Sequence, residues 1–539
     1  MARIFFPEKR WEEFNKELRG RRQAAQHKKR GQSAEQGRME LDPTICYQAL
    51  LSRDLRFDGR FFGGVVTTGV YCRPVCRART PKPENMRWFA CAAAAEASGF
   101  RPCRRCRPEA APGTSAWLGN SAVVSRALRL ISEGAMDETG LEEFSTRLGV
   151  SSRHLRRLFA EHLGASPHAI ASARRIHFAA RLIQETELPI TEIAFTAGFK
   201  SVRQFNHAVL SAFGQAPTQI RNRRGLKTEL RRLRDAHNGG GLLLRLPYRP
   251  PLDWAFVSDF LKQRATPGVE AVDGDCYRRT VQIDSVAGVI ELRHVPNSTY
   301  LLMRVWLPSY ECVMRVTERA RRIFDLSADP LQITQHLWRS PALADALAAA
   351  PGPRMPGAWG GFELAVRAVI ERQAPIARAT ALAGRLVKAF GAPLPGYESL
   401  ALTHLFPQPE TLAGADLRLT GITQAPAVTI RALASAVACG RLKLDASQRL
   451  EDAISRLRAI PGVDEWTANY IAMRALGETD AFPVDDLGLR RALGARKGGN
   501  GPVSARELAE IAEEWRPWRA YAAMCLWASL TGDAKGIKQ

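Results

Sequence analysis

The residues best suited to a chemical role are four cysteines, Cys72, Cys76, Cys103 and Cys106. Two close pairs separated by a longer loop are the spacing of a tetrahedral zinc-thiolate site. The pairs lie among arginines, which are Arg73, Arg77, Arg79, Arg101, Arg104, Arg105 and Arg107. Cationic neighbours favour thiolates and attract a polyanion. The spacing therefore predicts either a reactive zinc thiolate that faces DNA or a purely structural zinc site.

A second chemical candidate is the pair of adjacent carboxylates Asp485 and Asp486 near the C-terminus. They follow a segment in which Pro461, Gly462, Val463 and Asp464 separate two helical patterns. A Pro-Gly hairpin between helices can direct backbone N–H groups at a DNA phosphate. Either aspartate is then a candidate catalytic carboxylate, and helix N-capping on a surface is the alternative for both.

Two helix-turn-helix patterns lie between the cysteines and this hairpin. The first spans Leu141–Phe159, with Gly149 at the turn and Ser151 as an N-cap, and the second runs from Pro189 to His207. Side chains predicted to face outward for DNA are Arg153, Arg156, Arg157, Arg203, Gln204 and Asn206. An ordinary helical bundle is the alternative to a DNA-binding unit.

Composition agrees with a nucleic-acid partner. The 539 residues carry a formal net charge of +23, with 45% hydrophobic and 24% charged residues, and such a basic chain favours nucleic acid over an anionic membrane surface. No run of about 18 apolar residues is present to span a bilayer. Six scattered cysteines suggest inert core thiols in a reducing, cytoplasmic compartment: Cys46, Cys91, Cys276, Cys312, Cys439 and Cys525.

The length predicts a multidomain chain of α+β class. We predict a small zinc-bound α/β unit, an all-α unit, a β-sheet subdomain and a helical subdomain. The predicted boundaries are 1–40 for a disordered basic tail, then 41–110, 117–225, 240–310 and 311–534.

The segments Thr67–Arg79 and Gly99–Pro108 resemble the N-terminal domain of the Ada methyl-phosphotriester repair proteins. The resemblance implies that Cys72, Cys76, Cys103 and Cys106 bind Zn(2+). It also implies that Cys72 accepts a methyl group from a methylated DNA phosphate, once and irreversibly. Arg77 and Arg79 are candidate DNA contacts.

The tandem helix-turn-helix patterns, joined by a helix near Ala173–Gln184, resemble the AraC-type DNA-binding domain. Residues of about 240–532 resemble the AlkA-type alkylbase glycosylases of the hairpin-glycine-proline-aspartate superfamily. The motifs that carry this second resemblance are the hairpin, the Asp-Asp loop and the segment Trp515–Trp527.

The AlkA resemblance implies that Asp486 stabilises the positive charge on the deoxyribose as the damaged base leaves. The implied base pocket is aromatic and consists of Phe260, Trp466, Tyr470 and Trp527. Bifunctional relatives carry a lysine at the place of Trp466, so no lyase step is expected. Closely spaced C-terminal cysteines for an iron–sulfur cluster are missing from the sequence, which leaves zinc as the expected functional metal.

Two residues depart from the family pattern. Asp464 replaces the second glycine of the hairpin, where a phosphate would approach, and Ala374, after the candidate DNA contact Gln373, is a small residue where relatives carry a bulky wedge. Weaker phosphate anchoring and altered base flipping are the expected consequences.

The sequence thus predicts an Ada-like sensor and AraC-type DNA binder fused to a monofunctional glycosylase that acts on 3-methyladenine and 7-methylguanine. The alternative is a zinc-dependent transcription regulator whose glycosylase-like region only binds DNA. Expected partners are double-stranded and alkylated DNA and, through activation, RNA polymerase. We expect a monomer at the bacterial nucleoid.

Overall fold

The first sheet is short and rich in glycine and aromatic residues. In the computed structural model, which describes residues 41–112, 122–222, 240–349, 352–496 and 501–536, it has the order β3-β1-β2-β4. Its unit comprises α1 Pro43–Ser52, β1 Phe62–Val65, β2 Val70–Cys72, β3 Met86–Phe89, α2 Ala92–Ala97 and β4 Arg101–Pro102. A Cβ at Gly64 would lie 2.7 Å from the Phe89 ring, so glycine lets the aromatic core close over β1. The predicted tail, 1–40, lies outside the described residues.

The second unit is helical. Its helices are α3 Ala122–Ser132, α4 Ala135–Glu138, α5 Leu141–Arg147, α6 Ser152–Leu163, α7 Pro167–Glu185, α8 Ile190–Thr196, α9 Val202–Phe213 and α10 Pro217–Arg221. Gly149 and Gly198 take φ values of +74° and +78° at the two turns, a conformation that favours glycine. The hydroxyl of Ser151 accepts from the backbone N–H of His154 at 3.2 Å. The two predicted helix-turn-helix units therefore form, joined by a helix that is longer than predicted.

A five-stranded sheet follows, with the order β5-β9-β8-β7-β6 and antiparallel neighbours throughout. Its elements are β5 Leu242–Pro247, α11 Trp254–Arg264, β6 Glu270–Asp273, β7 Cys276–Ile283, β8 Val286–His294 and β9 Tyr300–Trp306. Apolar pairs such as Ile290–Val305 and Leu292–Met303 fall opposite one another and stabilise the register.

The remaining elements are helical. They are α12 Val313–Ile323, α13 Pro330–Leu337, α14 Ala344–Ala349, α15 Gly361–Glu371, α16 Ile376–Phe390, α17 Pro409–Ala413, α18 Gln424–Ala438, α19 Leu450–Arg458, α20 Glu465–Arg474, α21 Leu487–Arg496, α22 Ala505–Ala512 and α23 Arg519–Gly536. The multidomain α+β class is thus confirmed, while the exact domain boundaries stay predictions. No helix among the described ranges is long and apolar enough to cross a membrane.

Partly buried ion pairs join the units within Leu41–Gln539, which form one compact body. The Arg60 guanidinium lies 2.9 Å from the Asp329 carboxylate, which is 3% exposed, and connects the zinc unit to the helical subdomain. His177 on α7 lies 2.7 Å from Glu96 of the zinc unit. Arg129 on α3 lies 2.7 Å from Glu478. The units therefore pack against one another and do not behave as independent domains.

One expectation about the scattered cysteines is wrong. Five of the six are buried, but Cys439 is exposed. Cys439 directly follows the last residue of α18 and does not lie on the side of this helix that packs against the core. Its thiol lies 3.0 Å from the Arg441 guanidinium.

Candidate functional site

The four predicted zinc ligands converge. The sulfur atoms of Cys72, Cys76, Cys103 and Cys106 all lie within 4.8 Å of one another. The parallel pairing of β2 with β4 brings the two halves of the motif together, and the N–H of Cys103 donates to the carbonyl of Tyr71 at 2.9 Å. This short sheet therefore positions the cluster.

The donor set fits Zn(2+). A tetrahedral site with Zn–S bonds of about 2.3 Å places its sulfurs about 3.8 Å apart, which the cluster accommodates. The backbone N–H of Arg73 points at the Cys106 sulfur at 3.4 Å, a contact that offsets thiolate charge. Cys76 and Cys103 are buried, while Cys72 and Cys106 are partly exposed. Of the two partly exposed thiols, Cys72 is the predicted methyl acceptor.

Arg73 holds the cluster loop in place. Its guanidinium donates to the Asp58 carboxylate through Nε at 2.8 Å and to the Cys106 carbonyl at 3.1 Å. The side chains of Arg77 and Arg79, predicted to contact DNA, are exposed on the loop after the second cysteine. Arg73 is thus a partly buried structural residue, whereas Arg77 and Arg79 are exposed cations.

The predicted recognition residues lie on exposed helix faces. They are Arg153, Arg156 and Arg157 on α6, and Arg203, Gln204 and Asn206 on α9. The intervening residues Leu155, Phe159, Phe205 and Val209 are fully buried. Each helix therefore presents one polar face outward, the arrangement that a major-groove helix requires.

The hairpin between α19 and α20 has the predicted tight geometry. Gly462 adopts φ +84°, and a Cβ there would lie 2.0 Å from the Thr429 hydroxyl. Pro461 and Gly462 are exposed, whereas Val463 is buried beneath them. Glycine is thus required at this turn for both its backbone angle and its close contact with α18.

Asp486 stands at the start of α21 with both carboxylate oxygens engaged. Oδ2 accepts from the Trp466 indole at 2.9 Å, and Oδ1 accepts from the Trp527 indole at 3.0 Å. Oδ1 also accepts from the backbone N–H of Leu489 at 2.8 Å, so the residue is an N-cap as well. The carboxylate is only partly buried, while its neighbour Asp485 is exposed.

The aromatic residues predicted for the pocket lie together beside this carboxylate. Trp466 and Tyr470 stack with ring centroids 5.0 Å apart, and Trp527 meets Tyr470 edge-on at 6.3 Å. Phe260 joins them through Arg474, whose guanidinium lies 4.8 Å from the Phe260 ring and 5.4 Å from the Tyr470 ring. Three distant segments of chain, α11, α20 and α23, thus assemble one aromatic surface.

Sequence reasoning missed the charges behind this surface. Glu371, at the end of α15, lies 2.8 Å from Arg367, 3.6 Å from Arg264 and 3.4 Å from the Tyr470 hydroxyl. Burial acts to raise the pKa of Glu371, but the guanidinium groups, Arg264 first, hold the pKa below its usual value. The spacing of Arg474, four residues after Tyr470 on α20, was an available signal for this layer.

The structure shows the surroundings of the two residues that depart from the family pattern, Asp464 and Ala374. Asp464 caps α20 by accepting from the backbone N–H of Thr467 at 2.8 Å, and it pairs with Arg372 at 2.6 Å. Gln373 is exposed in the turn between α15 and α16, and Ala374 is partly buried there. The carboxylate in the hairpin is therefore accompanied by a cation that the sequence pattern did not reveal.

Three family models match the chain. They are the metal binding domain of Ada over residues 45–109, a helix-turn-helix domain over 144–223 and the AlkA N-terminal domain over 243–360. The chain is also 42% identical over 492 residues to the "Probable bifunctional transcriptional activator/DNA repair enzyme AlkA" of Mycobacterium tuberculosis. That match covers 91% of this chain and 97% of the relative. The chain belongs to this family of bifunctional AlkA proteins.

Each half of the bifunctional AlkA chain has its own relative. The "DNA-3-methyladenine glycosylase 2" of Escherichia coli is 31% identical over 291 residues, which is 52% of this chain and 95% of that protein. The "Bifunctional transcriptional activator/DNA repair enzyme Ada" of Escherichia coli is 34% identical over 176 residues, 33% of this chain and 48% of that protein. The predicted resemblances to Ada, to AraC-type domains and to AlkA are confirmed at the level of the family.

Proposed function

We propose that the C-terminal half hydrolyses the N-glycosidic bond of alkylated bases, of the 3-methyladenine and 7-methylguanine type, with Asp486 as its carboxylate. The observation that carries this proposal is the arrangement of Trp466 and Trp527, which donate one indole N–H to each oxygen of Asp486. The same two indoles flank Tyr470 in the aromatic surface. The site therefore couples a fixed anion to a stacking platform.

The chemistry follows from this geometry. As the bond between C1′ and the base nitrogen breaks, its electron pair leaves with the base and positive charge develops on the deoxyribose. An oriented carboxylate stabilises that charge without reorganisation, and water then adds to C1′. Alkylation has already made the base cationic, so the leaving group needs no acid. An indole at Trp466 cannot form a Schiff base, which supports a monofunctional reaction.

Base selection rests on stacking. An extruded, electron-poor base gains attraction from the π-faces of Trp466, Tyr470 and Trp527, with Phe260 completing the platform. Extrusion costs a few kcal/mol and least at a damaged pair. Stacking in the pocket and the lower cost of extrusion from a damaged pair both favour alkylated bases over normal ones.

For the zinc unit we propose stoichiometric methyl transfer from a DNA methylphosphotriester to Cys72. The Cys72 sulfur forms a bond to the methyl carbon while the methyl–oxygen bond breaks, and the electron pair stays on the phosphodiester oxygen. Zn(2+), when bound by the four cysteines, keeps their sulfurs as thiolates. Methylation removes one negative charge from the cluster and eases its repulsion of DNA phosphates.

The exposed faces of α6 and α9 support sequence-specific binding of double-stranded DNA. We propose that the protein acts as a monomer on the nucleoid and, once methylated at Cys72, activates transcription through contact with RNA polymerase. Repair and reporting would then reside in one chain.

The decisive experiment measures release of 3-methyladenine and 7-methylguanine from alkylated duplex DNA by the full-length protein and by Asp486→Asn. Asp485→Asn is the matched control, since that neighbouring carboxylate is exposed. We expect Asp486→Asn to lose about 100-fold or more in rate while its DNA affinity stays within twofold. The control is expected to excise normally.

Absence of excision by the intact protein would contradict the glycosylase proposal. The C-terminal half would then be a DNA-binding platform, and the protein a zinc-dependent regulator. Equal rates for the intact protein and Asp486→Asn would place the essential carboxylate elsewhere.

A further inference from the structure

Arg372 stands at the edge of the aromatic surface, directly after Glu371 and directly before Gln373. Its Nε donates to Asp464 Oδ2 at 2.6 Å, and its guanidinium carbon lies 5.6 Å from the Trp466 ring centroid. Both partners of the ion pair are well exposed, at 49% for Arg372 and 43% for Asp464. This cation thus links the hairpin to the tryptophan that holds Asp486.

The ion pair leaves most of the guanidinium available. Arg372 uses only Nε on Asp464, and among the described residues its two terminal nitrogens have no hydrogen-bond partner. A guanidinium with two parallel N–H groups free is matched to the two oxygens of a phosphate. The cation–π contact with Trp466 and the bond to Asp464 limit the directions in which it can point.

The charge of Asp464 explains why a cation is needed beside the hairpin. Without a cation, the carboxylate at the N-terminus of α20 would repel the DNA phosphate that the exposed hairpin is shaped to meet. Arg372 neutralises that carboxylate and places its own N–H groups beside the hairpin. The small side chain of Ala374, two residues later, leaves this region of the surface open.

We propose that Arg372 binds a backbone phosphate next to the extruded nucleotide while it neutralises the carboxylate of Asp464 beside it. The inference rests on the proposed glycosylase function and adds a positioning residue to it. The ligand is a DNA phosphodiester, bound independently of base identity.

The alternative is an ordinary surface ion pair. In that case Arg372→Ala and Asp464→Asn break the same bond and have the same effect on DNA binding. Under the proposal, the two substitutions act in opposite directions, because one removes the phosphate ligand and the other removes a repulsive charge. Asn still caps a helix, so Asp464→Asn preserves α20.

The experiment uses the full-length protein, Arg372→Ala, Asp464→Asn and the double variant. One measurement is single-turnover excision from a duplex with one 7-methylguanine, which separates the half-saturating concentration from the maximal rate. A second is the dissociation constant for a duplex with an uncleavable abasic-site analogue at several salt concentrations. Arg506→Ala, which breaks the exposed pair with Glu510 on α22, is the control.

We expect Arg372→Ala to raise the half-saturating concentration and the dissociation constant about fivefold, with the maximal rate within twofold. Loss of one phosphate contact should lower the slope of log affinity against log salt by about 1. Asp464→Asn is expected to bind as tightly as the intact protein or more tightly. The double variant should recover part of the loss, a coupling that only interacting residues produce.

Equal effects of the two single substitutions, or an unchanged salt slope in Arg372→Ala, would overturn the inference. If the intact protein releases no base but the opposite shifts persist on the abasic duplex, the glycosylase function fails while the phosphate contact stands.

Discussion

The zinc site and the glycosylase site are built in different ways. The four thiols come from two short loops joined by one parallel strand pair, β2 with β4. The groups around Asp486 come from α11, α15, α20, the start of α21 and α23, spread over about half of the chain. One site is local and the other is distributed.

The difference lies in how each site is held. Zinc contributes on the order of 10–16 kcal/mol at such cysteine sites, so a small unit with little core can form it. The glycosylase site has no comparable single source of stability. Its aromatic surface rests on buried charges such as Glu371 and Arg474, and on the tight turn at Gly462.

We expect Cys72→Ala to distinguish the activities of the two sites most clearly. Methyl acceptance should be lost completely, because the accepting sulfur is removed, while base excision stays within twofold. Transfer of a labelled methyl group to the protein and release of methylated bases are measured on the same preparation. Cys439→Ala, at the exposed cysteine, should retain both activities. A large loss of excision in Cys72→Ala would mean that the sites are not separate.

The distributed site should be sensitive to a change behind it, and Glu371→Gln tests this. Leaving Arg264 and Arg367 without their buried carboxylate is expected to cost about 3 kcal/mol of unfolding free energy at pH 7. Urea unfolding followed by tryptophan fluorescence measures it, with the exposed Glu410→Gln as control.

The same substitution has a predicted pH dependence. The folded-state pKa of Glu371 is lowered. The stabilisation of the fold by the ionised Glu371 is therefore complete above the unfolded-state pKa of about 4.3 and is lost as the pH falls through the folded-state pKa. The gap in stability between the intact protein and Glu371→Gln should therefore narrow in acid. A gap that is constant down to pH 3 would contradict the ion-pair explanation.

The hairpin offers a matched pair of glycines. Gly462→Ala introduces both a strained backbone angle and a Cβ 2.0 Å from the Thr429 hydroxyl, whereas Gly440, at φ +73°, has nothing within 4 Å of its added Cβ. We expect losses in unfolding free energy of about 3 and about 1 kcal/mol, respectively. Only Gly462→Ala should also weaken DNA binding. Equal losses would show that the contact with α18 has no importance.

The smallest effect is expected where the zinc unit meets α7. Burial acts to lower the pKa of His177, but Glu96 outweighs it and the pKa is raised. The stabilisation by this pair is therefore complete below about pH 6.5 and is lost as pH rises through the folded-state pKa. His177→Gln should cost about 1 kcal/mol at pH 6 and progressively less at higher pH, read from thermal midpoints. His168→Gln, exposed on the same helix, should show no such trend.

Sequence patterns were most informative where chemistry depends on neighbours in the chain. The spacing of Cys72 and Cys76, the turn at Gly149 and the cap at Ser151 each involve residues within a few positions. The order of apolar and polar positions on α6 and α9 was enough to predict their exposed faces. The resemblance to AlkA placed Asp486 and Trp466 in one site, but not the indole hydrogen bonds between them.

Long-range charge pairing could not be predicted in the same way. Nothing in the sequence connects Arg372 with Asp464, or Glu371 with Arg264, because ion pairs between distant segments leave no periodic signal. The exposure of Cys439 was likewise hidden, since it depends on which side of α18 faces the core.

The sequence by itself determined the zinc ligands and the two helix-turn-helix units, because these depend on local spacing and residue type, while its resemblance to AlkA supplied the catalytic candidate. Only the tertiary structure decided which tryptophans orient Asp486, which buried charges support Tyr470, and how the zinc unit packs against its neighbours. Those contacts arise from the packing of helices and sheets that are remote in sequence, and packing is a property of the whole fold.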